Sequence, residues 1–382
     1  MARQDAGATM FGMRRWLLLF LALLLLPTLA AAQSGPQLQI SHTTESLRGV
    51  NAVSRQVSWA SGTHGTYLRT IDGGVTWTPA QVPDAGALDF RAVVAFSADE
   101  AFLMSAGPGE QSRIYYTSDA GKHWQLQFKN TNPKGFFDSM VFWDAKHGVV
   151  LGDPIPDAEG KLKFEVLLTD DGQNWRVAPS AQMPAAMEGE GAFAASNTCI
   201  AIVPGGSDIW FATGGKVARV FHSPDRGQTW QVVDTSMVHG PESAGIFSIA
   251  FRDPMHGVIA GGDYKRPNDD GPNLAFTEDG GKTWNLSTLH PLAYFSAVAY
   301  DRKVNEQAIR EDAIEKRMRV KAVAPQRIFI VGQDFVFDFR PPHDPRRMNG
   351  KKKFGIQFNA VGAYPEGGAL IVGPKGAIAL LP

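Results

Sequence analysis

The chain has 382 residues, 44% of them apolar, and 37 Lys and Arg stand against 38 Asp and Glu for a net charge of −1. That balance argues against a binder of nucleic acid, and the apolar fraction suffices for a sizeable core. Cys199 is the only cysteine, which excludes an intramolecular disulfide and a cysteine-based metal site.

Residues 1–32 read as a signal peptide. Arg14 and Arg15 precede an apolar run from Trp16 to Leu26, Pro27 follows, and Ala30, Ala31 and Ala32 form a small-residue cleavage site before Gln33. The apolar run is short for a membrane span. The mature chain, 33–382, is therefore expected in the periplasm or outside the cell. Loss of Arg3, Arg14, Arg15 and Asp5 with the signal leaves it a net charge of −3. A short strand is expected next, at Gln37–Ser41.

A pattern of Ser/Thr-x-Asp-x-Gly-x-x-Trp then recurs. It reads Thr70-x-Asp72-x-Gly74-x-x-Trp77, Thr117-x-Asp119-x-Gly121-x-x-Trp124, Ser223-x-Asp225-x-Gly227-x-x-Trp230 and Thr277-x-Asp279-x-Gly281-x-x-Trp284. A degenerate copy is read at Asp170-x-Gly172-x-x-Trp175, with Leu168 at the hydroxyl position. The tryptophans fall 47, 51, 55 and 54 residues apart, a period that suits one four-stranded sheet per repeat. The residue types are those of a tight turn: a carboxylate to accept backbone N–H groups, glycine for positive φ, and an indole to cover the adjoining seam. The Asp and Trp of all five copies are read as structural, since a residue doing chemistry would not be needed in every repeat.

Short apolar runs closed by Gly62, Gly107, Gly152, Gly214, Gly261, Gly332 and Gly373 mark the second strand of each repeat. Their number predicts an all-β, seven-bladed β-propeller with Asp-box hairpins. Units six and seven lack the box. The last unit ends after three strands, and Gln37–Ser41 is expected to supply its fourth and close the ring. The segment 301–320, charged and free of Gly and Pro, is expected to be a helix inserted in blade six. Residues 340–353, Pro-rich and basic, form a loop suited to an acidic partner or to peripheral contact with lipid headgroups.

Inner strands of a propeller line its channel, so residues at their leading ends should ring the mouth. Alignment by apolar cores places Arg48, Arg91, Asp138, Ser248, Ser296 and Asn359 in that ring, with Glu188 and Glu190 nearby. Arg48 and Arg91, on adjacent blades, could hold a carboxylate or phosphate together, or pair with acids across the channel. No catalytic, metal or cofactor motif is found. Asp144/His147 and Asp253/His256 read as a repeated turn, and Phe251-Arg252-Asp253-Pro254 lacks the Ile of the sialidase Phe-Arg-Ile-Pro motif.

The boxes, the expected seven-unit length, the export signal and the phrase from Val220 to Trp230 (VFHSPDRGQTW) resemble the photosystem II stability/assembly factor family. The box is shared with sialidases, xyloglucan-cleaving glycosidases and sortilin-type receptors, so it reports architecture better than activity. The resemblance implies a non-enzymatic, monomeric propeller without cofactor. Such a protein would bind a protein or peptide through an arginine-bearing face and assist assembly of a membrane complex, and Arg48 and Arg91 match that face by position. Two alternatives stay open. One is an exported glycosidase using Asp138, Glu188 or Glu190. The other is a non-catalytic glycan binder using Trp59, Trp143 or Trp210, each of which could equally be core.

Overall fold

The computed structural model describes residues 36–287, 293–304, 327–332, 336–339 and 355–382. The signal peptide 1–32, most of the 301–320 segment and nearly all of the basic loop 340–353 lie outside them.

The described chain is a β-propeller of antiparallel sheets. Blade one comprises Leu47–Ala52, Ser58–Gly62, Thr66–Thr70 and Thr78–Gln81. Blade two runs Asp89–Ala95, Ala101–Ala106, Arg113–Thr117 and Gln125–Lys129. Blade three runs Phe137–Phe142, Gly148–Pro156, Leu162–Thr169 and Arg176–Val177. Blade four runs Ile200–Ile202, Ile209–Ala212, Arg219–Ser223 and Gln231–Asp234. Blade five, Ala244–Phe251 to Asn285–Leu286, carries two extra short strands, Glu190–Gly191 and Gly214–Gly215, on the channel side of its inner strand. The C-terminal blade joins Ala360–Ala363, Ala369–Val372 and Ile378–Leu381 to the N-terminal strand Gln37–Gln39, which pairs with the last strand.

These are six complete blades, and the expected count of seven is corrected to six. The unit expected as blade six is a sheet of only three strands among the described residues: Phe295–Tyr300, Ile328–Gly332 and Val336–Phe339. It lacks the box turn that folds a fourth strand back in blades one to five, and among the described residues no distant strand pairs with it. The inserted helix is likewise corrected, because the only α-helix among the described residues is a single turn at 302–304.

Inner strands pack side by side in chain order, the last against the first. Apolar clusters fill the seams between neighbouring sheets. Trp59, Tyr67, Phe90, Leu103 and Tyr115 join blades one and two, and Phe164, Phe211, Phe221 and Trp230 join three and four. Trp59 and Trp210 are completely buried, with their indole N–H groups spent on the carbonyls of Ser97 and Gly280. Neither is available as a sugar platform. Trp143 is half-buried under the Arg226 guanidinium, which lies 5.0 Å from its ring.

The box turns share one hydrogen-bond pattern. Thr70 Oγ1 donates to Asp72 Oδ1 (2.8 Å) and accepts from Gly74 N (2.9 Å), and Asp72 Oδ1 accepts from Thr76 N (2.9 Å). The turns at Asp119, Asp225 and Asp279 repeat it. Trp77 ties its turn to the N-terminal strand through Gln39 Oε1 (2.9 Å). Trp124 packs edge-on to Trp59 and Tyr67, and Trp284 edge-on to Phe251.

The third turn corrects the sequence reading. Its acid is Asp171, which accepts from Gln173 N (2.8 Å) and Asn174 N (2.7 Å), and its hydroxyl is Thr169, bonded to Gly172 N. Asp170 faces outward and pairs with Arg176. This turn is one residue shorter than the others, while Trp175 keeps its place through Gln127 Oε1 (3.0 Å). Backbone and side-chain donors of Asn174 hold the Asp171 carboxyl well below the usual range. A depressed folded pKa contributes stability above the unfolded value of about 3.9 and loses it as pH falls. Asp171→Ala is therefore expected to lower the thermal midpoint at pH 7, with the deficit shrinking below pH 4, whereas Asp170→Ala leaves it nearly unchanged. Paired thermal melts at the two pH values check the register.

Candidate functional site

Five inner strands slip register at the same place, between Leu47 and Gly49, Phe90 and Ala92, Phe137 and Ser139, Ile246 and Ser248, and Phe295 and Ala297. Each slip is a β-bulge, which turns one side chain away from the ladder. The residues so turned are Arg48, Arg91, Asp138, Phe247 and Ser296. Position 248 is thus a correction: Phe247 occupies the ring position, and Ser248 lies one step deeper. Its Oγ accepts from Val298 N (2.9 Å), stapling blade five to the three-stranded sheet.

Other expected ring members are also used as staples. Ser296 Oγ donates toward the carbonyls of Val331 (3.3 Å) and Phe358 (3.2 Å). Asn359 Nδ2 donates to the Leu47 carbonyl (2.8 Å), joining the last sheet to the first. Glu190 is buried rather than presented at the mouth. Its carboxylate accepts from Arg219 Nε (2.9 Å), Thr213 Oγ1 (2.7 Å) and Met187 N (2.8 Å).

Arg48, Arg91 and Asp138 do come together. Arg91 Nε donates to Asp89 Oδ2 (2.9 Å), and its Nη1 to the Ala194 carbonyl (2.7 Å). Arg48 Nε lies 3.8 Å from the same Asp89 oxygen, too far for a hydrogen bond, and is buried without a partner, as is Asp89 Oδ1. Burial, then the neighbouring Arg91, lowers the pKa of Arg48. Both arginine side chains keep about a quarter of their surface open, 29% for Arg48 and 26% for Arg91. Asp138 is 1% exposed with Oδ2 unpartnered. Burial, then Asp153, pushes its carboxyl well above the usual range, against the opposing pull of Arg91, so the site disfavours a negative charge there.

Asp89, Asp153, Phe193 and Phe247 were not singled out from the sequence. Phe193 stacks on Phe247 with centroids 3.8 Å apart, and Tyr264 and Tyr294 meet Phe247 edge-on. The mouth is therefore a pair of partly open arginine side chains beside an aromatic cluster. Of the three acids considered for glycoside hydrolysis, Asp138 is buried, Glu190 is consumed by Arg219 and only Glu188 is exposed, so these three do not present the open carboxylate pair that hydrolysis requires. Among the described residues no group of three or more His, Cys, Asp or Glu is placed to hold a metal. The Asp144/His147 and Asp253/His256 pairs are turns in which each Asp accepts its histidine's backbone N–H.

Burial raises the Asp153 pKa to about 6, opposed by a hydrogen bond from Ala192 N. An acid whose folded pKa is raised makes the fold lose stability as pH climbs from the unfolded value to the folded one. Asp153→Asn keeps an oxygen acceptor for Ala192 and should stabilise by roughly 2 kcal/mol above pH 6 and by nothing at pH 4. Denaturant titrations at both pH values test this.

No protein-family model matches the chain. The photosystem II stability/assembly factor HCF136 of Arabidopsis thaliana chloroplasts is 36% identical over 66 residues, 16% of this chain and 15% of that protein's length. The structure of YCF48 bound to D1 peptide superposes with a TM-score of 0.57 at 16% identity, covering 91% of this chain and 94% of that one. The chain is similar to photosystem II stability/assembly factors. The fold itself is wider than that likeness: the WD40 propeller domain of Doa1 superposes with a TM-score of 0.55 at 11% identity over 91% of this chain.

Proposed function

We propose that this chain is an exported, non-enzymatic propeller that binds a protein or peptide segment at its arginine mouth and assists the assembly or stability of a membrane-associated complex. The observation that carries the reading is the Arg48/Arg91 pair, turned out by matching bulges on adjacent blades, with 29% and 26% of the two side chains open. Two guanidinium groups a blade apart suit a carboxylate on a peptide. The partly open Phe193 and the exposed Tyr264, both packed on the buried Phe247, suit an apolar side chain of the same segment. A preorganised surface of this kind loses little entropy on binding. The fold-level likeness to YCF48, whose structure holds a peptide, points the same way.

The test is affinity capture from an envelope extract with the mature protein and with an Arg48→Ala/Arg91→Ala variant. A saturable membrane-protein partner retained by the first and lost by the second is expected. Equal capture by both would remove the mouth from the account.

A further inference from the structure

Between the extra strand at Glu190–Gly191 and the inner strand of blade four at Ile200, the chain does not follow a blade. It crosses the channel. Ala192 N donates to Asp153 of blade three (2.9 Å), and the Ala194 carbonyl accepts Arg91 of blade two (2.7 Å). Ser196 Oγ donates to the Ser296 carbonyl of the three-stranded sheet (2.7 Å), and Asn197 Oδ1 accepts Met140 N of blade three (2.7 Å). The Thr198 carbonyl accepts Ile249 N of blade five (2.8 Å). One segment thus reaches four different sheets, with Cys199, completely buried, at its far end.

Of these ties, the one to Ala194 is made by a side chain that also faces the mouth. Arg91 has a fixed acid partner in Asp89 on one edge of its guanidinium and a strap carbonyl on the other. A neutral carbonyl is a weaker acceptor for guanidinium than an anion. We propose that residues 190–199 form a strap latched across the channel by Arg91, and that an anionic group bound between Arg48 and Arg91 releases the latch by displacing the Ala194 carbonyl. The anion-competition part rests on the arginine-mouth reading above; the latch itself does not. Release would open the channel side of the strap only when the mouth is occupied, so that binding and strap position are linked in both directions.

Cys199 is a built-in reporter, since nothing else in the chain reacts with a thiol reagent. The labelling rate of Cys199 with a maleimide is measured on the full-length mature protein, on Arg91→Ala and, in case the alanine variant folds poorly, on Arg91→Met, which keeps the apolar stem. Loss of one charge-assisted hydrogen bond is expected to raise the rate about tenfold, without dependence on low denaturant, the mark of local opening. Sodium acetate at constant ionic strength should raise the wild-type rate and leave the variants unchanged. A variant rate equal to wild type, or one that rises only in step with global unfolding, overturns the latch. Faster labelling in the variants with no acetate effect on wild type overturns the coupling and leaves the arginine mouth to be judged by its own binding experiments.

Discussion

Arg219→Ala is expected to destabilise the propeller by about 3–5 kcal/mol, the cost of stranding one member of a buried ion pair. The Arg219 side chain is 6% exposed and that of Glu190 is 0%. The guanidinium also donates to the Ala185 carbonyl (3.0 Å) and lies over the Phe221 ring, 5.1 Å from its centroid. Removing it leaves a carboxylate that only Thr213 Oγ1 and Met187 N can serve. Because Glu190 begins the strap and its short strand is the innermost of blade five's sheet, the damage should spread to the channel side of that blade. Chemical denaturation of Arg219→Ala beside an Arg219→Met/Glu190→Leu double variant separates charge from packing. The double variant should recover most of the loss, since a well-packed apolar pair replaces a buried ion pair at little cost.

The Arg48→Ala/Arg91→Ala variant is expected to lose roughly 100-fold in affinity for a carboxylate-bearing peptide, from two charge-assisted hydrogen-bonding groups at about 1.5 kcal/mol each. Its stability should change much less, since both side chains are partly open and Asp89 is itself 24% exposed. The single variants should differ. Arg91 is already hydrogen-bonded to Asp89 and Ala194, whereas Arg48 has only a 3.8 Å ion pair with Asp89, so Arg48→Ala should cost the larger share. Fluorescence titration of a labelled peptide against the four proteins resolves these contributions, and its salt dependence should flatten in the double variant.

What the sequence made legible was local chemistry. In four of the box turns the hydroxyl, carboxylate, glycine and indole lie within eight residues of one another, and each contact is made inside that window or against the adjoining blade. The third turn was misread because it is one residue shorter, which moved the working acid from Asp170 to Asp171. The glycines that end the second strands were visible too, but their cause was not. A Cβ at Gly261 would collide with the carbonyl of Gly245 on the inner strand, and one at Gly332 with that of Tyr294 just ahead of its inner strand, in each case shortly before the bulge.

That hidden bulge explains the error at position 248. Phe247 looks like core in an apolar run, yet the register slip makes it the counterpart of Arg48 and Arg91. The strap was invisible for a different reason. Residues 190–198 carry no strand or helix period, and their partners at Asp153, Arg91, Ser296 and Met140 are 39 to 103 residues away in sequence. Blade number was overestimated because an apolar run ending in glycine marks a second strand, not a complete sheet. The unit at 295–339 has such a run but no box to return a fourth strand.

The most direct test of the central claim is calorimetric titration of the mature protein with a set of short peptides, each made both as the free acid and as the C-terminal amide, with acidic side chains present or neutralised. Saturable binding is expected for carboxylate-bearing members, weakened at least tenfold when the carboxylate is removed and roughly 100-fold in Arg48→Ala/Arg91→Ala. Binding that is indifferent to the carboxylate, or undiminished in the double variant, would contradict it.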